Sequence, residues 1–148
     1  MRRIVPLAAV GVAALLLAAL ALGATKHYSG ADRDPACEAG NCTVTFNAKV
    51  KKGKVKSVSR FVFDAVPITC DEGDFTVSNP DVPVNGMKVD KQRKFEGVWD
   101  GPNNQKISVT GKFSKDWKTA KGTLRDRGDF PPSASGCTTG LDHWKASR

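Results

Sequence analysis

Histidine and closely spaced cysteine pairs are scarce in this sequence, and their scarcity argues against several kinds of active site. There are 2 histidines, and the 4 cysteines form no Cys-x-x-Cys pair. A nucleophilic serine or cysteine is usually activated by a histidine, and zinc sites usually combine histidine with closely spaced cysteines. His143 directly follows Asp142, and adjacent residues of a strand point to opposite faces, so the two do not form a dyad. We therefore expect no catalytic residue, no metal and no cofactor.

The sequence also contains few acidic residues and little helical periodicity. The 148 residues carry 15 acidic against 23 basic side chains, a formal net charge of +8. Beyond the N-terminal segment, no stretch has the apolar spacing of an amphipathic helix. A hydrolase that uses a carboxylate pair is the second functional hypothesis, but nothing in the spacing of the acids selects a pair. The available acids are Asp64, Glu72, Asp74, Glu96 and Asp100.

The first part of the chain is an apolar segment of the kind that directs export. Met1-Arg2-Arg3 precedes an uncharged run from Ile4 to Leu22. Positive charge before such a run places its N-terminal end in the cytoplasm. The run is long for a signal peptide and short for a membrane-spanning helix, so residues 1–23 are interpreted as a cleaved signal peptide or a retained single-span anchor helix. In both cases the rest of the chain is secreted or tethered outside the cytoplasm.

All four cysteines follow this segment, which agrees with export. An even number of cysteines in an exported chain indicates two disulfides, and four cysteines allow three pairings. We favour Cys37–Cys42 and Cys70–Cys137, because the first two cysteines enclose a short loop that contains a glycine. The longer bridge would tie the middle of the chain to its last strand.

The chain after the apolar segment divides into a linker and a β-domain. Residues 24–41 show no periodicity and are predicted to form a flexible linker that includes the small cysteine loop. Residues 42–148 form the predicted domain. At its start Val44, Phe46 and Ala48 share one face of an alternating pattern, which indicates a half-buried strand.

Further strands follow at regular spacing. Lys52-Gly53 is predicted to turn the chain into a return strand, Val55–Phe63, whose alternation slips between Val58 and Phe61 as at a β-bulge. Three later strands are separated by turn residues. They are Lys94–Trp99, Lys106–Phe113 and Thr119–Arg125. This pattern predicts an all-β fold, either an antiparallel sandwich or an up-and-down barrel of about eight strands.

Four segments, taken in order and with their spacing, resemble a group of small secreted bacterial β-rich proteins. The segments are Phe61–Cys70, Val109–Phe113, Ala120–Arg125 and Cys137–Ala146. Those proteins have an N-terminal apolar segment, a mid-chain cysteine after an aromatic-rich strand, and a closing Cys…Gly…Trp-x-Ala strand. The resemblance covers about residues 55–146. It implies a β fold and the Cys70–Cys137 pairing, and it implies no activity.

Basic residues are concentrated in the first predicted hairpin. Between Glu38 and Asp64 there are six basic residues and no acidic one, namely Lys49, Lys51, Lys52, Lys54, Lys56 and Arg60. Charge gathered at a hairpin tip attracts anionic partners through the surface potential. Lysines also protect edge strands from pairing with other chains and keep proteins soluble. We predict that this hairpin contacts anionic polymers of the cell envelope or lipid head groups, and no specific nucleic acid.

Trp117 lies at the predicted tip of another hairpin, within Ser114–Lys118. An exposed tryptophan there could stack on a sugar ring, whereas a ring folded back over the sheet edge would have a structural role. We favour the folded-back ring, because tryptophan usually finds apolar cover.

The sequence as a whole predicts a secreted or membrane-tethered β-domain without enzymatic activity. The leading functional hypothesis is that this domain is a binding or structural module of the cell envelope. A hydrolase with a carboxylate pair is one alternative, and an adhesin or inhibitor that binds other proteins is another. Such a protein-binding module would need an exposed apolar patch.

Overall fold

The described part of the chain is built from β-strands. In a computed structural model, the structure describes residues 23–33, 37, 41–82, 86–130, 132 and 134–148. These residues contain no helix and form ten strands, which confirms the predicted all-β class and exceeds the expected number of about eight strands. The predicted signal or anchor segment is residues 1–23, and all of it except Gly23 lies outside the described residues. Within them, no helix has both the length and the apolar character needed to cross a membrane.

The ten strands pair antiparallel in one sheet. Their bounds are β1 (Ala24–Asp32), β2 (Thr43–Lys51), β3 (Lys54–Cys70), β4 (Gly73–Val82), β5 (Met87–Lys88), β6 (Lys94–Asp100), β7 (Lys106–Phe113), β8 (Thr119–Phe130), β9 (Ala134–Thr138) and β10 (Asp142–Ser147). The order of pairing is β10-β1-β2-β3-β9-β8-β7-β6. β4 and β5 also pair with β3, and β10 pairs with β8 as well as with β1.

The first hairpin follows the alternation of the sequence. Val44, Phe46 and Ala48 are buried, as predicted, while Thr45 and Asn47 between them are half-buried. The register between β2 and β3 shifts opposite Phe46, where Arg60 and Phe61 occupy the place of one residue. Arg60 has a φ of 49° there. The bulge predicted between Val58 and Phe61 is therefore confirmed.

The predicted flexible linker is wrong over residues 24–32, which form strand β1. Every residue from Ala24 to Ala31 is paired with a residue of β2. In addition, residues 29–32 of this strand pair with β10. Tyr28 is fully buried, and its neighbours in β1 are largely polar. The strand is not recognisable from its own sequence because its stability comes from neighbours on both edges rather than from an alternating apolar pattern.

Aromatic rings fill the main core. The ring of Phe46 stacks on Tyr28 and on Phe61, with centroids 4.9 Å and 5.8 Å away. Trp144 packs edge-on against both phenylalanines, at centroid distances of 5.8 Å and 5.4 Å. Further buried members of this core come from β3, β6, β7 and β8. Burial of these rings is the main stabilising contribution of the fold.

A smaller cluster lies where β3, β4, β8 and β9 meet. It consists of Ile68, Cys70 and Cys137, with half-buried apolar neighbours. Cys70 is bonded to Cys137, and Cys37 is bonded to Cys42, so both favoured disulfide pairings are confirmed. β3 and β9 share a single residue pair, Thr69 with Thr138. The long disulfide therefore supplies much of the connection between these two strands.

Candidate functional site

The tip of the first hairpin is a two-residue turn that brings lysines together. Lys52 and Gly53 have φ angles of 51° and 71°, as a type I′ turn requires. This turn sets Lys51 directly opposite Lys54. Like charges in directly opposite positions of a sheet repel each other, so the fold gains nothing from this pair.

Further lysines lie in the next rows of the sheet. Lys49 pairs with Ser57, and Ser57 pairs on its other side with Lys88 of β5. A register shift between Lys49 and Val50 leaves Lys56 as an extra residue next to this row. On the other side of β2, Lys26 of β1 pairs with Ala48. The structure therefore adds two cations to those predicted from the sequence.

We call these seven residues the lysine-rich end. They are Lys26, Lys49, Lys51, Lys52, Lys54, Lys56 and Lys88. All seven are exposed. None forms an ion pair with an acidic side chain of the described residues; the pair of Lys106 and Asp100, 3.1 Å apart, lies on β6 and β7. Each of these cations is thus available to an external anion.

Arg60, the sixth residue of the predicted basic patch, lies away from the tip. It is exposed in the bulge of β3 opposite Phe46, whereas the lysines cluster around the turn at Lys52. The sequence could not separate it from them, because the bulge changes which residues face one another. The structure thus keeps the predicted lysines together and sets the arginine apart.

Trp117 is half-buried, not an exposed platform. Its ring packs on Phe113, with centroids 5.7 Å apart. Its backbone carbonyl accepts a hydrogen bond from the buried hydroxyl of Tyr28. Burial raises the pKa of that hydroxyl above its usual value. The favoured folded-back position of Trp117 is therefore confirmed, and the ring covers the end of the core.

The acids considered for a carboxylate pair are mostly engaged by the fold itself. Glu72 accepts hydrogen bonds from the Ser135 amide and hydroxyl, at 2.8 Å and 2.9 Å. These bonds hold the pKa of Glu72 below its usual value. Asp64 accepts a hydrogen bond from a serine, Asp74 accepts one from a threonine, and Asp100 pairs with a lysine. A general acid needs the opposite shift, a raised pKa in a cleft.

Asp126 has such a raised pKa but is enclosed. Its side chain is fully buried, and this burial raises its pKa from 3.8 to about 6. Its neighbour is the Gln105 amide, 3.5 Å from each carboxylate oxygen. Nothing in the sequence around Asp126 marks it as buried, because charged residues surround it in β8. With no exposed surface, it has no access to a substrate.

The two histidines are exposed and lie on different strands. Nδ1 of His27 is 3.2 Å from the side-chain oxygen of Asn47. His143 pairs in the sheet with Thr123. Across the described part of the chain, no group of three or more histidine, cysteine, aspartate or glutamate side chains is placed to hold a metal ion.

Comparison with known proteins adds no relative. No protein-family model matches the chain, and no curated protein and no solved structure is significantly similar to it. The function must therefore be inferred from the arrangement of its own residues.

Proposed function

We propose that this protein is an exported, non-enzymatic binding module that holds anionic polymers of the cell envelope through its lysine-rich end. The observation that carries the proposal is the group of seven exposed lysines at and beside the turn of the first hairpin, none of which forms an ion pair with an acid of the described residues. A single-sign cluster of this size creates a surface potential of several kT, which concentrates polyanions from solution.

The type of side chain favours a polymer over a small, shaped ligand. Lysine carries a compact charge on a flexible stem, whereas arginine fixes a planar, bidentate geometry. Flexible point charges adapt to a chain of repeating anions without selecting one monomer. Lipid head groups would satisfy the same charges, and we regard them as an alternative partner. Specific reading of nucleic acid depends on contacts to base edges, whereas exposed point charges on flexible stems suit repeating backbone anions.

The two disulfides support a place outside the cytoplasm, because such bonds persist in oxidising compartments. The apolar N-terminal segment of the sequence points the same way. We also infer that the sheet closes into a barrel, since β10 pairs with β1 and with β8. A closed sheet leaves fewer free strand edges, so the lysines are less needed as edge protection.

The test is charge reversal at the turn. We expect the triple variant Lys51→Glu, Lys52→Glu, Lys54→Glu to lose at least tenfold in affinity for dextran sulfate, measured by calorimetry in 50 mM salt, because three attractive contacts become repulsive. Binding of the natural chain should weaken steeply as salt is added, since polyanion binding releases condensed counterions. Uncharged dextran should not bind.

The matched control reverses three exposed basic residues outside the lysine-rich end and outside the groove that Lys112 and Lys121 line. The variant Lys91→Glu, Lys118→Glu, Arg127→Glu has the same net charge as the hairpin variant. Its affinity should fall by less than threefold. Equal losses in the two variants, or unchanged binding in the hairpin variant, would show that the lysine-rich end is not the contact surface.

A further inference from the structure

Four lysines from four strands lie side by side on another part of the sheet. Lys94 of β6 pairs with Lys112 of β7. Lys112 pairs with Lys121 of β8, and Lys121 pairs with Lys145 of β10. We call these four residues the lysine row. Since neighbouring strands lie about 4.8 Å apart, the row extends about 14 Å across the sheet.

The side chains of the lysine row point outward. Their neighbours along the strands, among them Phe95, Phe113 and Trp144, are buried in the core, while all four lysines are exposed. The lysines line a groove of about 760 Å³. Arg33, Lys88 and His143 also line this groove, against two acids, Asp90 and Glu96. The groove is therefore strongly cationic.

The lysine row is unfavourable for the protein alone. Its three neighbouring pairs each place like charges directly opposite each other, which destabilises a sheet. None of the four lysines forms an ion pair with an acid in the part of the chain that the structure describes. An anion lying along the row would remove this repulsion by screening all four charges.

Hydroxyl groups accompany the charges. Two residues further along β7 and β8, Thr110 pairs with Thr123, and their hydroxyl oxygens are 2.7 Å apart. One hydroxyl hydrogen makes this bond, so the second is available to donate to a ligand. Gly111 and Gly122 lie between the threonines and the lysine row and also line the groove. The surface thus offers charges with a neutral donor beside them.

We propose that the lysine row is a second anion-binding site, which takes a linear polyol phosphate chain lying across the strands. Ammonium groups bind phosphate well as point charges. A phosphodiester chain offers one charge per repeat, which suits a row of single cations. Single-stranded nucleic acid fits less well, because it gains much of its affinity from stacking on exposed aromatic rings. The rings nearest the groove, Phe95 and Trp144, are 3% and 1% exposed.

The second site adjoins the lysine-rich end at one residue. Lys88 lines the groove, and it also pairs with Ser57 in the row that contains Lys49. A long phosphate chain could therefore occupy both surfaces, and a short one could occupy the lysine row alone. Binding to two linked sites raises the overall affinity without any new contact.

The experiment uses a synthetic glycerol phosphate oligomer with four phosphates, one for each lysine of the row. The double variant Lys112→Gln, Lys121→Gln removes the two central charges. Its control is Lys51→Gln, Lys52→Gln, which has the same net charge but alters the lysine-rich end. Affinity is measured by calorimetry between 50 and 200 mM salt, and folding of each variant is checked by its thermal unfolding midpoint.

We expect the natural chain to lose about fifty-fold in affinity over this salt range if four phosphates are neutralised, and the row variant to lose about sevenfold. At 50 mM salt the row variant should bind at least tenfold more weakly, and the control should bind within twofold of the natural chain. In low salt the row variant should unfold at the same temperature or a higher one, because all three like-charge pairs of the row have been removed.

Three results would overturn the proposal. One is an equal loss of affinity in the two variants, which would indicate general charge attraction. Another is tighter binding of a single-stranded dT oligomer of equal charge, which would indicate nucleic acid. The third is tighter binding of a galacturonate oligomer of equal charge, which would indicate a carboxylate polymer. If the row variant fails to bind the oligomer while the hairpin variant still binds dextran sulfate, this site stands and the proposed function fails.

Discussion

The lysine-rich end differs from the disulfide end, where Cys70–Cys137 joins β3 to β9, in whether its charged side chains are bonded within the protein. At the disulfide end the acids are bonded to the protein. The Gly136 amide and the Asn104 side chain both donate to Asp129, each at 3.0 Å, and they hold its pKa below the usual value. At the lysine-rich end the cations have no such partner among the described residues.

This contrast separates charges that serve folding from charges that are available for binding. The carboxylates of Glu72 and Asp129 compensate backbone donors around Ser135 and Gly136, so a ligand would have to displace existing hydrogen bonds. The lysines would give up water alone. An external anion can therefore bind these lysines without breaking any hydrogen bond within the described part of the protein.

The largest expected effect tests what holds the disulfide end together. Replacing Cys70 and Cys137 by alanine should lower the free energy of unfolding by about 4 kcal/mol, because the bridge closes a long loop in the unfolded chain. The matching replacement of Cys37 and Cys42 should cost about 2 kcal/mol, since its loop is short. Urea unfolding of both variants gives the two values, and equal losses would contradict this account.

A second prediction concerns Asp126 of β8. This residue lies two positions before Gly128, which pairs with Cys137 of the long disulfide. Its pKa is about 6 in the folded state and near 4 when unfolded, so between these pH values the folded protein keeps a proton that the unfolded chain has lost. The contribution of the Asp126 carboxyl to the free energy of unfolding therefore decreases as the pH rises from 4 to 6. We expect Asp126→Asn to be more stable than the natural chain by about 3 kcal/mol at pH 7 and nearly equal to it in stability at pH 4.

The comparison of the two proteins at each pH cancels the other titrating groups. These include Glu72 and Asp129, whose lowered pKa values contribute stability that is lost as pH falls. A difference between variant and natural chain that is the same at pH 4 and pH 7 would show that burial of the charge is not its cause.

The smallest of these effects tests the turn of the lysine-rich end. Gly53→Ala should lower the unfolding free energy by about 1 kcal/mol, because Gly53 has a φ of 71° and a new Cβ would meet no neighbour. The cost is thus one of backbone conformation alone. Lys52→Asn should be neutral or slightly stabilising, because asparagine tolerates the positive φ of that position. Urea unfolding measures both, and a loss in the asparagine variant equal to that of the alanine variant would contradict this assignment.

Much of the fold could be predicted from local patterns. Alternation located β2, the bulge at Arg60 and the whole of β7, and cysteine spacing indicated both disulfides. β1 was missed because Tyr28 is its one large buried side chain, so no alternation is visible. A strand held by two neighbours needs little pattern of its own.

The lysine row could not be found from the sequence. Its members come from β6, β7, β8 and β10; the sequence predicts the first three as strands separated by turn residues, but it does not predict the pairing of β8 with β10. The alternation of a strand predicts which face a side chain takes, but the register between strands decides which side chains are neighbours. Lys88 was missed for the same reason, since β5 is two residues long and has no pattern.

The pairing of β1 with β10 has a consequence for how the chain acquires its structure. The earliest described strand finds one of its two partners in the last strand, so that edge of β1 stays exposed until residues near Ser147 have been synthesised. Contacts between such distant segments form slowly, and an exposed edge invites pairing with other chains in the meantime. A nascent or truncated chain without β10 should therefore depend on chaperones far more than the complete one.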